Sequence, residues 1–231
     1  MDLIAAPAKA SQMSHPAILR AALSGVAALG AIMSASAHAA ESNVQFWGYG
    51  TVAYDVDERT DIRLEVSPRF RAEEAGRDRV ETTLVVGHDL SDTVAVGGGV
   101  GYVEFSGRRE ARLIQDVTFS AGQLDFRTRL EERIFADADR LAIRAQQRAR
   151  LTVPLGDATD LSGSGELYYI VQAPDRGDGS RVDSWRARLH LQHRLSDKWQ
   201  VGAAYMLMLE PRDDQPDRLS HIPQLTLTFR P

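Results

Sequence analysis

The sequence predicts an all-β fold, an antiparallel up-and-down transmembrane β-barrel of ten to twelve strands. Three observations lead to this prediction: apolar and charged residues alternate, the alternating segments are short, and tight connections alternate with longer ones. Side chains on a strand point to opposite faces with a period of two, so each segment has one apolar and one charged face. A charged face rarely forms a conventional core, whereas a barrel in lipid turns its apolar face outward.

The alternation is clearest between residues 124 and 153. In its first half, one face carries Leu124, Phe126, Thr128 and Leu130, and the other carries Asp125, Arg127, Arg129 and Glu131. In its second half, an apolar face alternates with Arg144, Gln146, Arg148 and Arg150. Both halves therefore predict strands whose polar face points into a water-filled or ion-paired barrel interior.

Eleven such segments are present in the chain. They lie near residues 44–55, 62–72, 79–89, 93–104, 111–120, 123–135, 140–153, 160–172, 182–195, 198–209 and 221–230. Single-chain bacterial barrels have an even number of strands. We therefore expect ten strands if 44–55 is not part of the wall, or twelve if one segment contains two strands.

The connections between the segments are of two sizes. Residues 91–92, 121–122, 156–159 and 196–198 form tight turns, whereas 73–78, 106–110, 174–180 and 211–220 are longer and polar. The two kinds alternate along the chain, apart from a short connection at 137–139. This alternation is typical of outer-membrane barrels, which have short periplasmic turns and longer external loops.

The N-terminal region predicts a signal peptide over residues 1–39, followed by a single barrel domain over 40–231. Arg20 precedes an apolar run that ends in Ala37-His38-Ala39, which predicts cleavage after Ala39 and export. Met13 is an alternative start. The chain has no cysteine, so disulfides and thiolate metal sites are excluded. Aromatic residues near strand ends predict interfacial girdles: Trp47, Tyr49, Tyr102, Phe135, Tyr169, Trp185 and Trp199.

The inward faces carry thirteen basic and six acidic residues, an excess of seven positive charges, although the chain has a net charge of −5. The basic residues are Arg63, Arg69, Arg71, Arg79, Arg127, Arg129, Arg133, Arg144, Arg148, Arg150, Arg186, Arg188 and Arg194. The acidic residues are Glu65, Glu81, Asp116, Asp125, Glu131 and Glu166. Two interpretations stay open: arginine–carboxylate pairs fill the interior, or unpaired arginines contact small anions. The candidate contact residues are Arg127, Arg129, Glu131, Arg133, Arg144, Arg148, Arg150, Arg186 and Arg188.

Some residues depart from the alternation. Gln115, Glu132, Gln147 and His193 fall on the apolar face, and Gln147 indicates either an oligomer contact or an error in the predicted register. Gly97, Gly99 and Gly101 share one face of the fourth segment, where the missing side chains permit a bend or leave space in the lumen.

Catalytic signals are weak, and we expect neither enzymatic activity nor a cofactor or metal. Ser184 and Glu166 are candidates to assist the lumenal His190, and sequence cannot place them together. The acidic stretch 213–217 lacks the glycine and terminal glutamate of an EF-hand. Export and the alternating charge disfavour a nucleic-acid partner.

Four stretches resemble a family of exported Gram-negative proteins known as a domain of unknown function. They are Gln45-Phe46-Trp47, Arg127-Thr128-Arg129-Leu130-Glu131-Glu132-Arg133, Arg148-Ala149-Arg150-Leu151 and Glu166-Leu167-Tyr168. The resemblance implies a short outer-membrane β-barrel and brings no reaction or functional residue. The last segment, with Leu225, Leu227 and Phe229 on one face, resembles the signal read by the barrel-assembly machinery, although Arg230-Pro231 follows its aromatic residue.

The sequence thus predicts an outer-membrane barrel whose partners are membrane lipid, the barrel-assembly machinery and small anionic solutes that it passes or binds. One alternative is a structural or interaction barrel closed by ion pairs. Another is a soluble periplasmic binding protein with a β-sandwich or lipocalin-like fold.

Overall fold

A computed structural model describes residues 40–71, 77–105 and 108–231, which form twelve strands. They are β1 (Glu41–Val44), β2 (Phe46–Asp55), β3 (Thr60–Phe70), β4 (Arg79–Asp89), β5 (Val94–Phe105), β6 (Arg108–Ala121), β7 (Leu124–Phe135), β8 (Ala142–Pro154), β9 (Thr159–Gln172), β10 (Arg181–Arg194), β11 (Trp199–Glu210) and β12 (Arg218–Phe229). In this part of the chain no helix has the length and apolarity needed to span a membrane. The predicted signal peptide and its cleavage site at Ala39 lie outside the described residues.

The strands form one closed sheet, which confirms the predicted barrel. Consecutive strands from β2 to β12 pair antiparallel, and β12 pairs with both β1 and β2 in parallel. Glu41 lies opposite Arg218 and Trp47 lies opposite Gln224, so β1 and β2 keep one register and form a single wall strand. The wall therefore has eleven strands, because residues 41–55 belong to it and no predicted segment contains two strands. The expectation of an even number of strands was wrong. An up-and-down barrel with an odd number of strands can close if its first and last strands pair in parallel, as they do here.

The barrel has two different ends. The turn end carries the connections 56–59, 90–93, 122–123, 155–158 and 195–198, whereas the loop end carries 71–78, 106–107, 136–141, 173–180 and 211–217. Predicted and observed strand bounds differ by at most three residues. One connection departs from the predicted alternation, because only two residues separate β5 from β6 at the loop end.

The two faces of the wall differ in polarity, as the alternation predicts. Apolar side chains such as Leu84, Val100, Phe126 and Leu189 are exposed on the outer face. The alternating inward positions hold buried polar side chains and one small apolar cluster of Trp47, Met206, Met208 and Ile222, against which Tyr49 packs. The prediction of an interfacial position was therefore wrong for Trp47 and Tyr49.

The three glycines of β5 face the interior and make room for atoms of the two neighbouring strands. A Cβ at Gly97 would lie 2.5 Å from Asp116 Oδ1, and one at Gly101 would lie 3.4 Å from Arg112 Cβ. A Cβ at Gly99 would instead lie 2.9 Å from Val85 Cα of β4. The space beside Gly97 and Gly101 is thus occupied by side chains of β6, whereas Gly99 allows β4 to approach β5 closely.

Candidate functional site: the barrel lumen

The half of the lumen near the loop end is crossed by ion pairs centred on Glu81 of β4. Its carboxylate accepts hydrogen bonds from Arg69 Nη2 at 2.8 Å and from Arg112 Nη1 at 2.9 Å, and Arg79 Nη2 lies at 3.4 Å. These contacts join β3, β4 and β6. Because the groups are mostly buried, each charge needs a partner nearby.

Glu110 of β6 extends the network and is 1% exposed. Its carboxylate accepts hydrogen bonds from Arg112 Nε at 2.5 Å and Arg133 Nε at 2.6 Å. The buried Arg112 guanidinium therefore bridges Glu81 and Glu110, and both partners are charged and hydrogen-bonded.

A second group of pairs is centred on Arg144 of β8. Arg144 Nη2 donates to Glu131 at 2.5 Å, and Arg144 Nη1 donates to Asp183 at 3.1 Å. Glu166 accepts hydrogen bonds from Gln146 Nε2 and from the Tyr168 hydroxyl, each at 3.0 Å. These contacts link side chains of β7, β8, β9 and β10 across the interior.

Two aromatic rings connect these groups across the lumen. The Arg69 guanidinium lies 4.0 Å from the centroid of Trp47. The Arg186 guanidinium lies 5.7 Å from the Trp47 centroid and 3.8 Å from the Tyr168 centroid. The row Arg69–Trp47–Arg186–Tyr168 therefore combines cation–π contacts with the filling of space. Together with the buried Ser67, Gln146, Ser184 and Gln224, it fills this half of the barrel.

The other half contains a cavity of about 620 Å³, which we call the vestibule. Its wall includes Arg127 and Arg129 of β7, Arg148 and Arg150 of β8, and Gly87 of β4, and its mouth is formed by residues 55–61 at the turn end. At the mouth, Arg59 N donates to Asp57 Oδ1 at 2.8 Å, and this hydrogen bond lowers the pKa of the Asp57 carboxyl. The vestibule is therefore a polar pocket that lies toward the turn end of the barrel.

Most charges that line the vestibule are paired. The ion pairs are Arg129–Asp116 at 2.7 Å, Arg150–Asp125 at 3.1 Å, Arg63–Asp61 at 2.7 Å and Arg230–Asp55 at 3.1 Å. These ion pairs neutralise much of the positive charge that arginine side chains bring to the vestibule wall.

Arg127 and Arg148 differ from these pairs. They lie directly opposite each other on β7 and β8, and neither forms an ion pair with any described residue. Arg127 Nη2 donates to Gln146 Oε1 at 3.1 Å, and the Nε atoms of both arginines are buried without a hydrogen-bond partner in the described chain. Like charges opposite each other on neighbouring strands repel. Glu166 lies opposite Arg148 on β9 but forms no ion pair with it, and an anion between the two guanidinium groups would relieve the repulsion between them.

The nine predicted contact residues thus fall into two regions. The vestibule wall holds Arg127, Arg129, Arg148 and Arg150, and the filled half holds Glu131, Arg133, Arg144 and Arg186. Arg188 lies 5.9 Å from the Tyr49 ring centroid and forms no ion pair with a described residue. Arg112, Glu110, Asp61 and Asp183 are among the inward groups that the sequence tally missed, and these four alone lower the positive excess from seven to five.

The structure does not assemble the weak catalytic candidates. Ser184 and His190 lie six residues apart on β10, which separates them by roughly 20 Å along the strand. The His190 Nε2 instead lies 3.3 Å from Thr226 Oγ1, and the Glu166 carboxylate is bonded to Gln146 and Tyr168. In the described residues, no group of three His, Asp or Glu side chains is arranged to hold a metal ion.

Comparison with known proteins agrees with this fold. The NanC porin has a similar structure, with a TM-score of 0.52 and 12% identity over 74% of this chain and 85% of the porin. A bacterial polysaccharide outer-membrane secretin has a TM-score of 0.43 and 14% identity, over 72% of this chain and 64% of the secretin. OmpT of Vibrio cholerae, in a form that lacks loop L8, has a TM-score of 0.40 and 12% identity, over 69% of this chain and 59% of OmpT.

No curated protein matches the sequence significantly. The family model described as "Protein of unknown function (DUF2490)" matches residues 44–219, which is most of the barrel. The chain therefore belongs to the DUF2490 family, whose fold here is a closed β-barrel similar to those of outer-membrane proteins.

Proposed function

We propose that this chain is an outer-membrane β-barrel that binds small anions in its vestibule. The apolar outer face supports a membrane location, because an exposed apolar wall around a whole barrel is unfavourable in water and favourable in lipid. That wall also argues against a soluble periplasmic binding protein. We propose no catalytic step and no cofactor, and we assign insertion to the barrel-assembly machinery acting on β12.

The observation that supports anion binding is that Arg127 and Arg148 lie opposite each other in the vestibule wall and that neither forms an ion pair with a described residue. Their neighbours Arg129 and Arg150 have carboxylate partners, so within the part of the vestibule wall formed by β7 and β8 the unpaired positive charge lies at Arg127 and Arg148. Guanidinium groups suit carboxylates and phosphates because they donate two parallel hydrogen bonds. The vestibule thus offers a pocket for one small anionic group.

We test this by titrating inorganic phosphate into protein extracted with detergent from the outer-membrane fraction, using isothermal calorimetry at low salt. Arg127→Gln together with Arg148→Gln should weaken binding at least about tenfold, since a charge-assisted hydrogen bond contributes roughly 1.5–3 kcal/mol. Arg230→Gln is the matched control, because Arg230 lines the same cavity and pairs with Asp55. Equal affinities of the double variant and the parent would contradict the proposal, as would recovery of the protein from the soluble periplasmic fraction.

A measurement of ion conductance distinguishes anion binding in the vestibule from anion passage through the barrel. Because side chains fill the half near the loop end, we expect the parent barrel to carry no steady ion current across a planar bilayer. An anion-selective current that Arg129→Glu with Arg148→Glu abolishes would instead support passage through the barrel.

A structural barrel is the second candidate function, and the network around Glu81 and Glu110 favours it. In that case the polar interior only stabilises the barrel, and any binding partner would contact the loops. The phosphate titration separates the two, because a purely structural interior has no anion affinity that depends on Arg127 and Arg148.

A further inference from the structure

The outer face of the wall carries a group of polar residues that its lipid-facing position does not explain. We call it the outer polar patch: Gln115 on β6, Thr128 and Glu132 on β7, and Gln147 on β8. Thr128 lies opposite both Val117 and Gln147, and Leu130 lies opposite Gln115. The pairing excludes an error in the predicted register, and Gln115, Thr128 and Gln147 all lie near the middle of their strands.

The hydrogen-bonding groups of this patch are only partly satisfied. Thr128 Oγ1 donates to Gln147 Oε1 at 3.0 Å. Among the described residues, the Gln147 amide nitrogen, the Gln115 amide and the Glu132 carboxylate have no hydrogen-bond or ion-pair partner. Lipid chains offer no donor or acceptor, so unsatisfied groups at this height are costly.

Other polar residues of the outer face differ in position or in pairing. Two pairs lie close to strand ends, Thr60–His88 and Thr159–His193. Tyr205 lies near the middle of β11, but its hydroxyl is hydrogen-bonded to His221 on β12. Polar groups near the interface contact water and cost little. The outer polar patch is therefore distinguished by its free donors and acceptors at mid-height.

The wall beside the patch carries several small residues among larger ones. Small residues at outward positions on β8, β9 and β10 are Ala145, Ala149, Gly163, Gly165 and Ala187, and Leu167 and Tyr169 lie between them. Small side chains let another surface approach the backbone closely, and polar side chains can then bond across the contact.

We propose that the outer polar patch is the contact surface between two copies of this chain in the membrane. The proposal rests on the membrane location given above. A second copy inserted in the same direction is related by a two-fold axis along the membrane normal, which places groups of equal height opposite each other. Each glutamine has both a donor and an acceptor, so Gln115 and Gln147 of one copy can bond to the same residues of the other.

The absence of cysteine from the natural chain allows a direct test. Leu130→Cys places a single thiol in the centre of the patch, between Gln115 and Ala145. Leu84→Cys is the matched control, because Leu84 is an equally exposed mid-strand leucine on β4, away from the patch. After mild oxidation in outer-membrane vesicles, Leu130→Cys should give at least about tenfold more disulfide-linked dimer, since a disulfide needs Cα atoms within about 7 Å.

A second variant tests whether the polar groups make the contact. Gln115→Leu with Gln147→Leu in the Leu130→Cys protein should reduce crosslinking to the level of the control, while heat-modifiable migration shows that the barrel is folded. Three results would each overturn the proposal: equal crosslinking of the Leu130→Cys and Leu84→Cys variants, no dimer from Leu130→Cys, or undiminished crosslinking after both glutamines are replaced. Phosphate binding by the same preparations is measured separately, so failure of the dimer is distinguishable from failure of the vestibule.

Discussion

Replacing Arg112 by methionine should cost about 3–5 kcal/mol of unfolding free energy, the loss expected when one partner of a buried ion pair is removed. Arg112 is 3% exposed and bridges Glu81 and Glu110, whose carboxylates lie in the filled half of the lumen. Methionine retains much of the volume but leaves both acids with fewer compensating charges. Urea unfolding of the barrel in lipid vesicles, followed by tryptophan fluorescence, measures the difference.

Arg108→Met provides the control for this prediction. Arg108 is on the same strand, but its contact with Asp137 is 3.7 Å long and both side chains are more than half exposed. Surface ion pairs contribute roughly 0–1 kcal/mol, so this variant should unfold like the parent. Adding Glu110→Gln and Glu81→Gln to Arg112→Met should increase the loss, because Arg69, Arg79 and Arg133 would then lose their carboxylate partners. If Arg112→Met and Arg108→Met unfold alike, the network does not stabilise the barrel.

The fold could be predicted from the sequence because barrel strands carry a simple period. Each of the eleven segments located in the sequence corresponds to a wall strand with nearly the same bounds, since the alternation continues across almost every strand, although ten or twelve strands were expected. The closure could not be predicted in the same way. Whether β12 meets residues 41–55 in parallel depends on the total number of strands and not on a local pattern.

The side chains of the lumen were predicted less completely, for local reasons. The register shifts between Val182 and Ser184, so Asp183 leaves the alternation and reaches Arg144. In residues 44–55 both faces of the strand contain apolar residues, so the alternation alone could not predict that Trp47 faces the lumen. Arg112 was missed although it shares a face with Asp116. Periodicity assigns a face to each arginine, but only the packed structure separates the paired Arg129 from the unpaired Arg127.

Gly99→Ala should destabilise the barrel by about 1–3 kcal/mol, the usual cost of overpacking a filled interior. Gly99 faces inward, and a Cβ there would contact the Leu84 carbonyl oxygen while lying 2.9 Å from Val85 Cα. Both are backbone atoms of β4, so the clash cannot be relieved by turning a side chain. The strands β4 and β5 would have to separate at their centre. Urea unfolding in vesicles again gives the free energy.

Gly98→Ala is the matched variant, one residue away on the outer face. A Cβ at Gly98 meets nothing closer than Ile114 O at 4.0 Å. Because glycine in a strand costs roughly 0.5–1 kcal/mol relative to alanine, this variant should equal or exceed the parent in stability. If Gly99→Ala lowers the unfolding free energy and Gly98→Ala does not, the inward-facing Gly99 is needed for the close approach of β4 and β5 and not for flexibility. Equal effects at the two positions would contradict this, and the glycines would then have no specific part in shaping the lumen.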